Sequence, residues 1–299
     1  MLFRSTTIMT LHAQTAIHAG SGQNDSVIDL PVQREPHTKF PCIFGSSMKG
    51  ALRAHAETRC ETDEKIINQL FGDKNGDGNA GALLISDARL LLLPVRSLTG
   101  QFRWVTCPAI LKRYKADMQR FGLKCDLPIP KVQSEEIFIP KAEKAKEEPL
   151  YLEEYRFNGK PWDMTAWVDC LAVAIDYDDA QAMLTAQLGI LCDNDFAYLA
   201  TYTLPVSPHI AIDSSIKTTR QGALWYEETL SPDSVLYVGI AADEERKENG
   251  KKAHEVMTDF QKIFSGDQKW LQIGGNETVG MGWCSVKFAE EKENGHTNH

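Results

Sequence analysis

Positive charge is scarce in this 299-residue sequence, where 32 Lys and Arg stand against 41 Asp and Glu for a formal net charge of −9. Taken whole, that balance speaks against a nucleic-acid partner. Long apolar runs are also missing, so no bilayer-spanning helix is expected. The opening residues MLFRSTTIMTLHAQ lack the apolar core and small-residue cleavage site of a secretory signal. The seven cysteines (Cys42, Cys60, Cys107, Cys125, Cys170, Cys192 and Cys284) form no C-x-x-C pair. Structural zinc is therefore not expected, and reduced thiols in a cytoplasmic protein are. The N-x-[ST] triplets at Asn24 and Asn276 then carry no meaning, because glycosylation requires secretion. A Walker A loop is absent as well. In GSSMKGALR, Lys49 precedes the last glycine and no Lys-Ser or Lys-Thr follows, which disfavours nucleotide hydrolysis. No internal repeat divides the chain, and the reading is one domain over 1–299.

What is present softens the charge argument. The acid concentrates in Glu135, Glu136, Glu143, Glu147, Glu148, Glu153 and Glu154, in Asp243 to Glu248, and in Glu290 to Glu293. Between Pro31 and Arg59 the chain is mildly basic, with Arg34, Lys39, Lys49, Arg53 and Arg59 against Glu35 and Glu57. A basic strip on an acidic body is compatible with this distribution.

Periodicity gives the coarse element order. Residues 5–18 alternate as a first strand. Ser46 and Ser47 suit the N-cap of a helix from Met48 to Arg59 that buries Met48, Ala51, Leu52 and His55. Further helices are expected over Asp178–Cys192 and His254–Phe264. FAYLATYTL, HIAID, ALWYEETL and SVLYVGIAA read as strands, and the chain closes on KWLQIGG and WCSVKFAEE. This order fits an α+β, ferredoxin-like arrangement with large insertions. The Pro-, Lys- and Glu-rich segment 124–150 is expected to be a mobile insertion, and 290–299 a disordered tail.

Four segments can carry chemistry. GSGQND after the first strand and GSSMKGALR at a helix start offer backbone N–H groups to an anion, although each alone is equally a turn or a cap. QIGGNETVGMGW packs four glycines between strand-like runs, which implies a close backbone approach or a sharply bent hairpin. HIAIDSSIKTTRQGALWYEETL reads as a long β-hairpin with Lys217 and Arg220 at its tip and Trp225 and Tyr226 on its return, two aromatics that as strand residues are also natural core members. Asp29, with His18 and Glu227, is the last. Asp29 lies between a glycine loop and Pro31, where no structural task for a carboxylate is evident, and beside an RNA it can accept a 2′-hydroxyl proton or hold a divalent ion. Asp73, Asn75, Asp77 and Gly78 imitate the opening of an EF-hand loop. Leu84 occupies the required Glu position, and the preceding run LFG calls for no helix, so a surface turn is expected.

Taken in order, IHAGSG, IDLPVQRE-HT-FP, GSSMKGALR, LFG, ISDARLLLLPVRSLTGQFRWVTCP, GALWYEE and LQIGGNETVGMGW resemble the repeated backbone subunit of Cmr-type, type III-B CRISPR RNA-guided complexes, in the RAMP superfamily. The resemblance spans nearly the whole chain. Csm-type backbone subunits share GSS-x-KG-x-LR, but the DLPVQRE-HT run and the LQIGGNETVG ending point to Cmr.

The resemblance implies an RRM-like palm with insertions and a projecting thumb hairpin, here 206–230. It implies copies stacked head to tail on a guide RNA beside other Cmr-type subunits, and endoribonuclease cutting of complementary target RNA beside each thumb with a divalent ion, magnesium or manganese. It implies Asp29 as the catalytic aspartate, with His18 and Glu227 as helpers. A tyrosine that some members carry shortly after that glutamate is absent, because Thr229 follows Glu228. Guide contacts are implied at Ser46, Ser47, Lys49, Arg53 and the loop containing Gly274, Gly275 and Gly280. Lys217, Arg220 and Trp225 are the hairpin's expected RNA contacts. Binding RNA by shape and backbone needs only a local positive groove, which removes the objection from net charge. The alternatives are a non-catalytic guide-binding scaffold, a Csm-type homologue, and a metabolic enzyme on the same scaffold, for which no cofactor motif is present.

Overall fold

A computed structural model describes residues 5–23, 27–58, 62–74, 80–141, 149–213, 215–247 and 249–289. The first strand, β1 (Ser5–Ala13), is buried on both faces over its last seven residues, so it belongs in the middle of a sheet. After β2 (Cys42–Ile43), helix α1 (Gly45–Thr58) buries Met48, Leu52, His55 and Ala56 along one face. The helix starts earlier than expected. Asp87 Oδ1 accepts the Gly45 N–H at 2.7 Å, so Ser46 and Ser47 sit in the first turn instead of capping it. Helix α2 (Glu64–Phe71) follows, capped by Asp63. A helix thus does precede the calcium-loop look-alike, whose residues 75–79 lie outside the described residues.

The middle of the chain holds β3 (Leu83–Ile85), β4 (Ala88–Ser97), β5 (Gln101–Thr106), α3 (Pro108–Arg120), β6 (Glu136–Pro140), β7 (Pro149–Leu152), β8 (Tyr155–Trp162) and α4 (Thr165–Ala172). Of the segment expected to be a mobile insertion, 136–140 is strand β6, which pairs with β8 and with β9 (Leu188–Leu191). Residues 142–148 and the tail 290–299 lie outside the described residues.

Two expectations for the next stretch fail. The helix expected over Asp178–Cys192 is only α5 (Ala180–Gln187), because LGIL forms β9 (Leu188–Leu191), a fully buried strand parallel to β5. FAYLATYTL is not a strand. It belongs to α6 (Asp193–Tyr202), which buries Phe196, Leu199 and Ala200 at helical spacing and carries Asp193 and Asp195 in its first turn, where acid favours the helix dipole.

The last third runs as β10 (Val206–Ile212), β11 (Thr219–Glu228), β12 (Val235–Ala242), α7 (Ala253–Lys262), β13 (Trp270–Gln272) and β14 (Trp283–Phe288). Twelve strands join in one sheet, and β10 with β11 forms a separate two-stranded sheet. At the centre the order is β14–β1–β12–β4, every neighbour antiparallel. The helix α1 lies between β1 and β4 in sequence, and α7 between β12 and β14. The result is a mixed α+β protein with a sheet-rich core. No helix among the described residues is long and apolar enough to cross a membrane.

Candidate RNA-cleavage site at the hairpin base

Beyond Ala13 the chain leaves β1 but stays tied to the sheet. Ile17 bridges Leu230 just past the end of β11, and Gly20 bridges Val32. These two bridges bring the first glycine loop, the extended run 29–35 and the hairpin base into one junction. Leu30 sews the run to β11: its N–H donates to the Tyr226 carbonyl at 3.0 Å, and its carbonyl accepts the Glu228 N–H at 3.0 Å.

Asp29 stands at the start of this seam, half-buried. Its Oδ2 accepts the Tyr226 N–H at 2.7 Å, while Oδ1 has no hydrogen bond among the described residues. The expectation that this carboxylate lacks a structural task is therefore wrong: it pins the return strand of the hairpin. One oxygen is left for other work.

His18 is buried, with Nδ1 2.8 Å from the carbonyl oxygen of Glu228. A carbonyl only accepts, so Nδ1 carries a proton and a neutral ring presents its lone pair at Nε2. That nitrogen faces Gly20, where a Cβ would approach it to 2.8 Å. Glu227 is buried at 4% exposure, its Oε1 4.0 Å from His18 Nδ1.

The glycine-rich loop closes the junction. Gly275 N–H donates to the His18 carbonyl at 2.9 Å, and Gly282 N–H to the Ala16 carbonyl at 2.8 Å. At Gly274 a Cβ would collide with the His18 carbonyl, and the φ of +86° independently favours glycine. The close backbone approach read from these glycines is thus an approach to the protein's own strand. Gly280 differs: it is exposed, with a φ of +83° and nothing near an added Cβ.

The remaining expected site residues spread outward. Ser46 and Lys49 are exposed on the first turns of α1. Ser47 faces inward and accepts a bond from Gln33 Nε2 at 3.0 Å. Arg53 is consumed within the protein, donating to Glu57 Oε1, the Gly72 carbonyl and Asn68 Oδ1. Lys217 and Arg220 are exposed at the far end of the hairpin from Asp29. Neither hairpin aromatic is a core residue: Trp225 stacks on His209 with centroids 5.6 Å apart, and Tyr226 is 41% exposed.

Three supporting side chains escape sequence reasoning. Gln33 donates to the Gly20 carbonyl and accepts the Phe44 N–H at 2.6 Å, joining the first glycine loop to the entry of α1. Glu228 is buried; its Oε2 accepts the Val32 N–H at 3.0 Å and its Oε1 meets Arg34 Nη2 at 2.6 Å. Asn276 donates from Nδ2 to Glu227 Oε1 at 2.7 Å. Gln33 lies in the QRE run, Glu228 in GALWYEE and Asn276 in GGNETVG, so the signal available was their position inside motifs already singled out.

Comparison with known proteins agrees with this architecture. Residues 10–285 match the RAMP superfamily. The chain is 33% identical over 302 residues to the CRISPR system Cmr endoribonuclease Cmr4 of Pyrococcus furiosus, covering 97% of this chain and 98% of that protein. The crystal structure of oligomeric Cmr4 from P. furiosus superposes with a TM-score of 0.74 at 28% identity, over 96% of this chain and 99% of that one. A chain of the type III-B Cmr-beta complex bound to cognate target RNA shares the fold with a TM-score of 0.75 at 18% identity, over 96% and 98%. The chain belongs to the RAMP superfamily.

Proposed function

We propose that this RAMP-superfamily chain is the backbone subunit of a type III-B CRISPR effector complex, which binds guide RNA and cuts complementary target RNA as an endoribonuclease. The observation that carries the reading is the junction itself. Asp29, His18 and Glu227, more than two hundred positions apart at the extremes, meet at the base of a projecting hairpin, in a chain one-third identical to a protein named as an endoribonuclease. The strand order β14–β1–β12–β4 with α1 and α7 as crossovers supports a ferredoxin-like palm, and the separate β10–β11 sheet supports a thumb. Self-association along the guide is supported by the oligomeric crystal form of the P. furiosus relative. A cytoplasmic setting belongs to the same reading.

The reaction we assign is transesterification: the 2′-hydroxyl oxygen attacks the adjacent phosphorus in line, the bond from phosphorus to the 5′-oxygen of the next nucleotide breaks, and that oxygen takes a proton, leaving a 2′,3′-cyclic phosphate and a 5′-hydroxyl. Asp29 takes or orients the hydroxyl proton through the oxygen its backbone bond leaves free. His18, proton on Nδ1, has Nε2 to accept or relay a proton. Glu227 sets the environment of that ring. A divalent ion, magnesium or manganese, is part of the proposal, yet among the described residues no three His, Cys, Asp or Glu side chains form a cage. Phosphate oxygens and water would make up most of its shell, with Asp29 giving one oxygen. On the RNA side, Ser46 and Lys49 at the start of α1 and the loop around Gly280 face the guide backbone, and Trp225, Lys217 and Arg220 line the hairpin.

One observation favours a second reading, a non-catalytic scaffold: Asp29 has a structural bond to Tyr226, which would suffice to retain it. Assembled complex incubated with complementary RNA and a divalent ion separates the two. Cutting at regular intervals that Asp29→Ala abolishes, with target binding intact, supports the endoribonuclease; intact target throughout supports the scaffold.

A further inference from the structure

Of the four glycine-rich-loop positions that adopt left-handed backbone, Gly274, Gly280 and Gly282 meet that need with glycine, at φ of +86°, +83° and +82°. The fourth is Asn276, at φ 61° and ψ 28°. Glycine is the easier residue there, and asparagine is the common substitute that tolerates this region while keeping a polar side chain. A side chain kept where glycine would serve has a use. Here the use is visible: the amide reaches out of its own turn to donate to Glu227 Oε1 at 2.7 Å. Among the described residues its one other side-chain hydrogen bond is to the Met281 sulfur at 3.5 Å.

Glu227 needs that bond. The carboxylate is 4% exposed, and among the described residues the Asn276 amide is its one hydrogen-bond donor, with His18 Nδ1 at 4.0 Å already turned to the Glu228 carbonyl. A buried carboxylate with a single donor has little else to fix its rotamer. The neighbouring residue, Gly275, holds His18 through the carbonyl of the same histidine. Two consecutive residues of one loop therefore hold the two helper residues, Gly275 the backbone of His18 and Asn276 the side chain of Glu227.

We infer that Asn276 is a positioning residue for RNA cleavage: it sets the Glu227 carboxylate beside His18 and acts only through Glu227. The inference rests on the endoribonuclease reading above. Two substitutions separate side chain from backbone. Asn276→Gly keeps the left-handed turn and deletes the amide; Asn276→Asp keeps the shape and sets a second carboxylate against Glu227.

The experiment is single-turnover cleavage at saturating target by assembled complex, with target affinity and the pH–rate profile measured alongside. Asn276→Gly should slow cleavage by about 10²-fold, the scale expected for a misplaced catalytic group, with target affinity unchanged and an altered pH profile. Asn276→Asp should be slower still. In a Glu227→Ala background, Asn276→Gly should add nothing. An equal loss in both backgrounds overturns the inference, as does full activity of Asn276→Gly beside an inactive Asp29→Ala. A second readout needs no activity: hydrogen exchange of amides 226–230 should quicken in Asn276→Gly and not in Lys49→Ala. If wild-type complex fails to cut, the endoribonuclease reading falls, and the exchange result alone decides whether Asn276 holds the hairpin base.

Discussion

At the base of the β10–β11 hairpin, charged residues are buried and held; at its tip, charged and apolar residues alike stand in solvent. Glu227 and Glu228 are 4% and 3% exposed, and bonds to Asn276, Arg34 and Val32 meet their carboxylates. Toward the tip, Ile212 is 55% and Ile216 68% exposed. There, among the described residues, Asp213 bonds within its own turn, to Ser215, Thr218 and Lys217. One ribbon thus has a fixed end, which can hold reacting groups to sub-ångström tolerance, and a free end, which can meet a partner. Burial with hydrogen bonds to distant residues distinguishes them, not residue type.

The largest effect on folding should come from the fixed end. Glu228→Ala removes one side of a buried ion pair and strands the Val32 N–H. Such a loss costs about 3–5 kcal/mol, with the lower figure expected because Arg34 keeps the Lys39 and Ala200 carbonyls. Denaturant unfolding of the isolated subunit measures it. A wild-type midpoint would show that the base is not anchored by this pair.

The same contrast recurs on α1 with two cations. The Arg53 side chain makes three internal bonds and, among the described residues, the exposed Lys49 side chain makes none. Arg53→Ala should cost about 2 kcal/mol. Lys49→Ala should leave the melting temperature alone and weaken guide binding equally for unrelated sequences, with a shallower salt dependence. Sequence-selective loss in Lys49→Ala would remove it from the backbone-binding surface.

Asp29→Ala should fall lower on the stability scale and highest on the activity scale. Losing one hydrogen bond at a half-buried site costs about 1 kcal/mol, whereas losing a positioned acid–base group slows chemistry by about 10²–10⁴-fold. A target with a single 2′-deoxy sugar at the cut site should bind normally and resist cutting there. Products ending in a 2′,3′-cyclic phosphate are expected from the intact target, and a 3′-hydroxyl end would exclude the 2′-hydroxyl as nucleophile.

Much of this site was legible in the sequence, and the failures share a cause. The hairpin, Asp29 and the glycine loop were found because turn chemistry and strand alternation are local signals. Asp29's bond to Tyr226 spans 197 positions, and no local pattern reports a partner that distant, so the carboxylate looked idle. Arg53 looked free for the same reason: its partners Asn68 and Gly72 lie on the next helix and just past its end. LGIL reads as helix because a short apolar run fits both periods; it is a strand because β5 offers it a parallel edge. FAYLATYTL failed in the opposite sense. Its aromatic and β-branched residues suggested a strand, but the 196–199–200 spacing of its buried residues is helical.

The effect that most sharpens the contrast belongs to the tip. Deleting 214–221 and closing the chain with a two-residue Asn-Gly turn would remove Lys217, Arg220 and the exposed Ile216. The backbone bonds lost there, Asp213 to Thr218 and Lys217 to Asp213, are local to the turn, and the start of β11 goes with them, including the Ile212–Thr219 pair. Lys217 also gives up a left-handed φ of 55°, a conformation that costs a side-chain-bearing residue energy. Each backbone bond lost in this exposed turn is worth about 1 kcal/mol and the strain relieved about as much, so the free energy of unfolding should stay within about 2 kcal/mol of wild type. Cleavage should respond differently. The base retains Asp29, His18 and Glu227 in place, so any loss of cutting must come from a target no longer held against the hairpin. The rate at saturating target should then recover toward wild type while the half-saturating concentration rises. A tip deletion that unfolds the subunit would show the tip to be structural, and the division of the hairpin into a fixed and a free end would fail. A deletion that lowers the saturated rate as far as Asp29→Ala would place the tip in the chemistry itself, beyond any role in holding RNA.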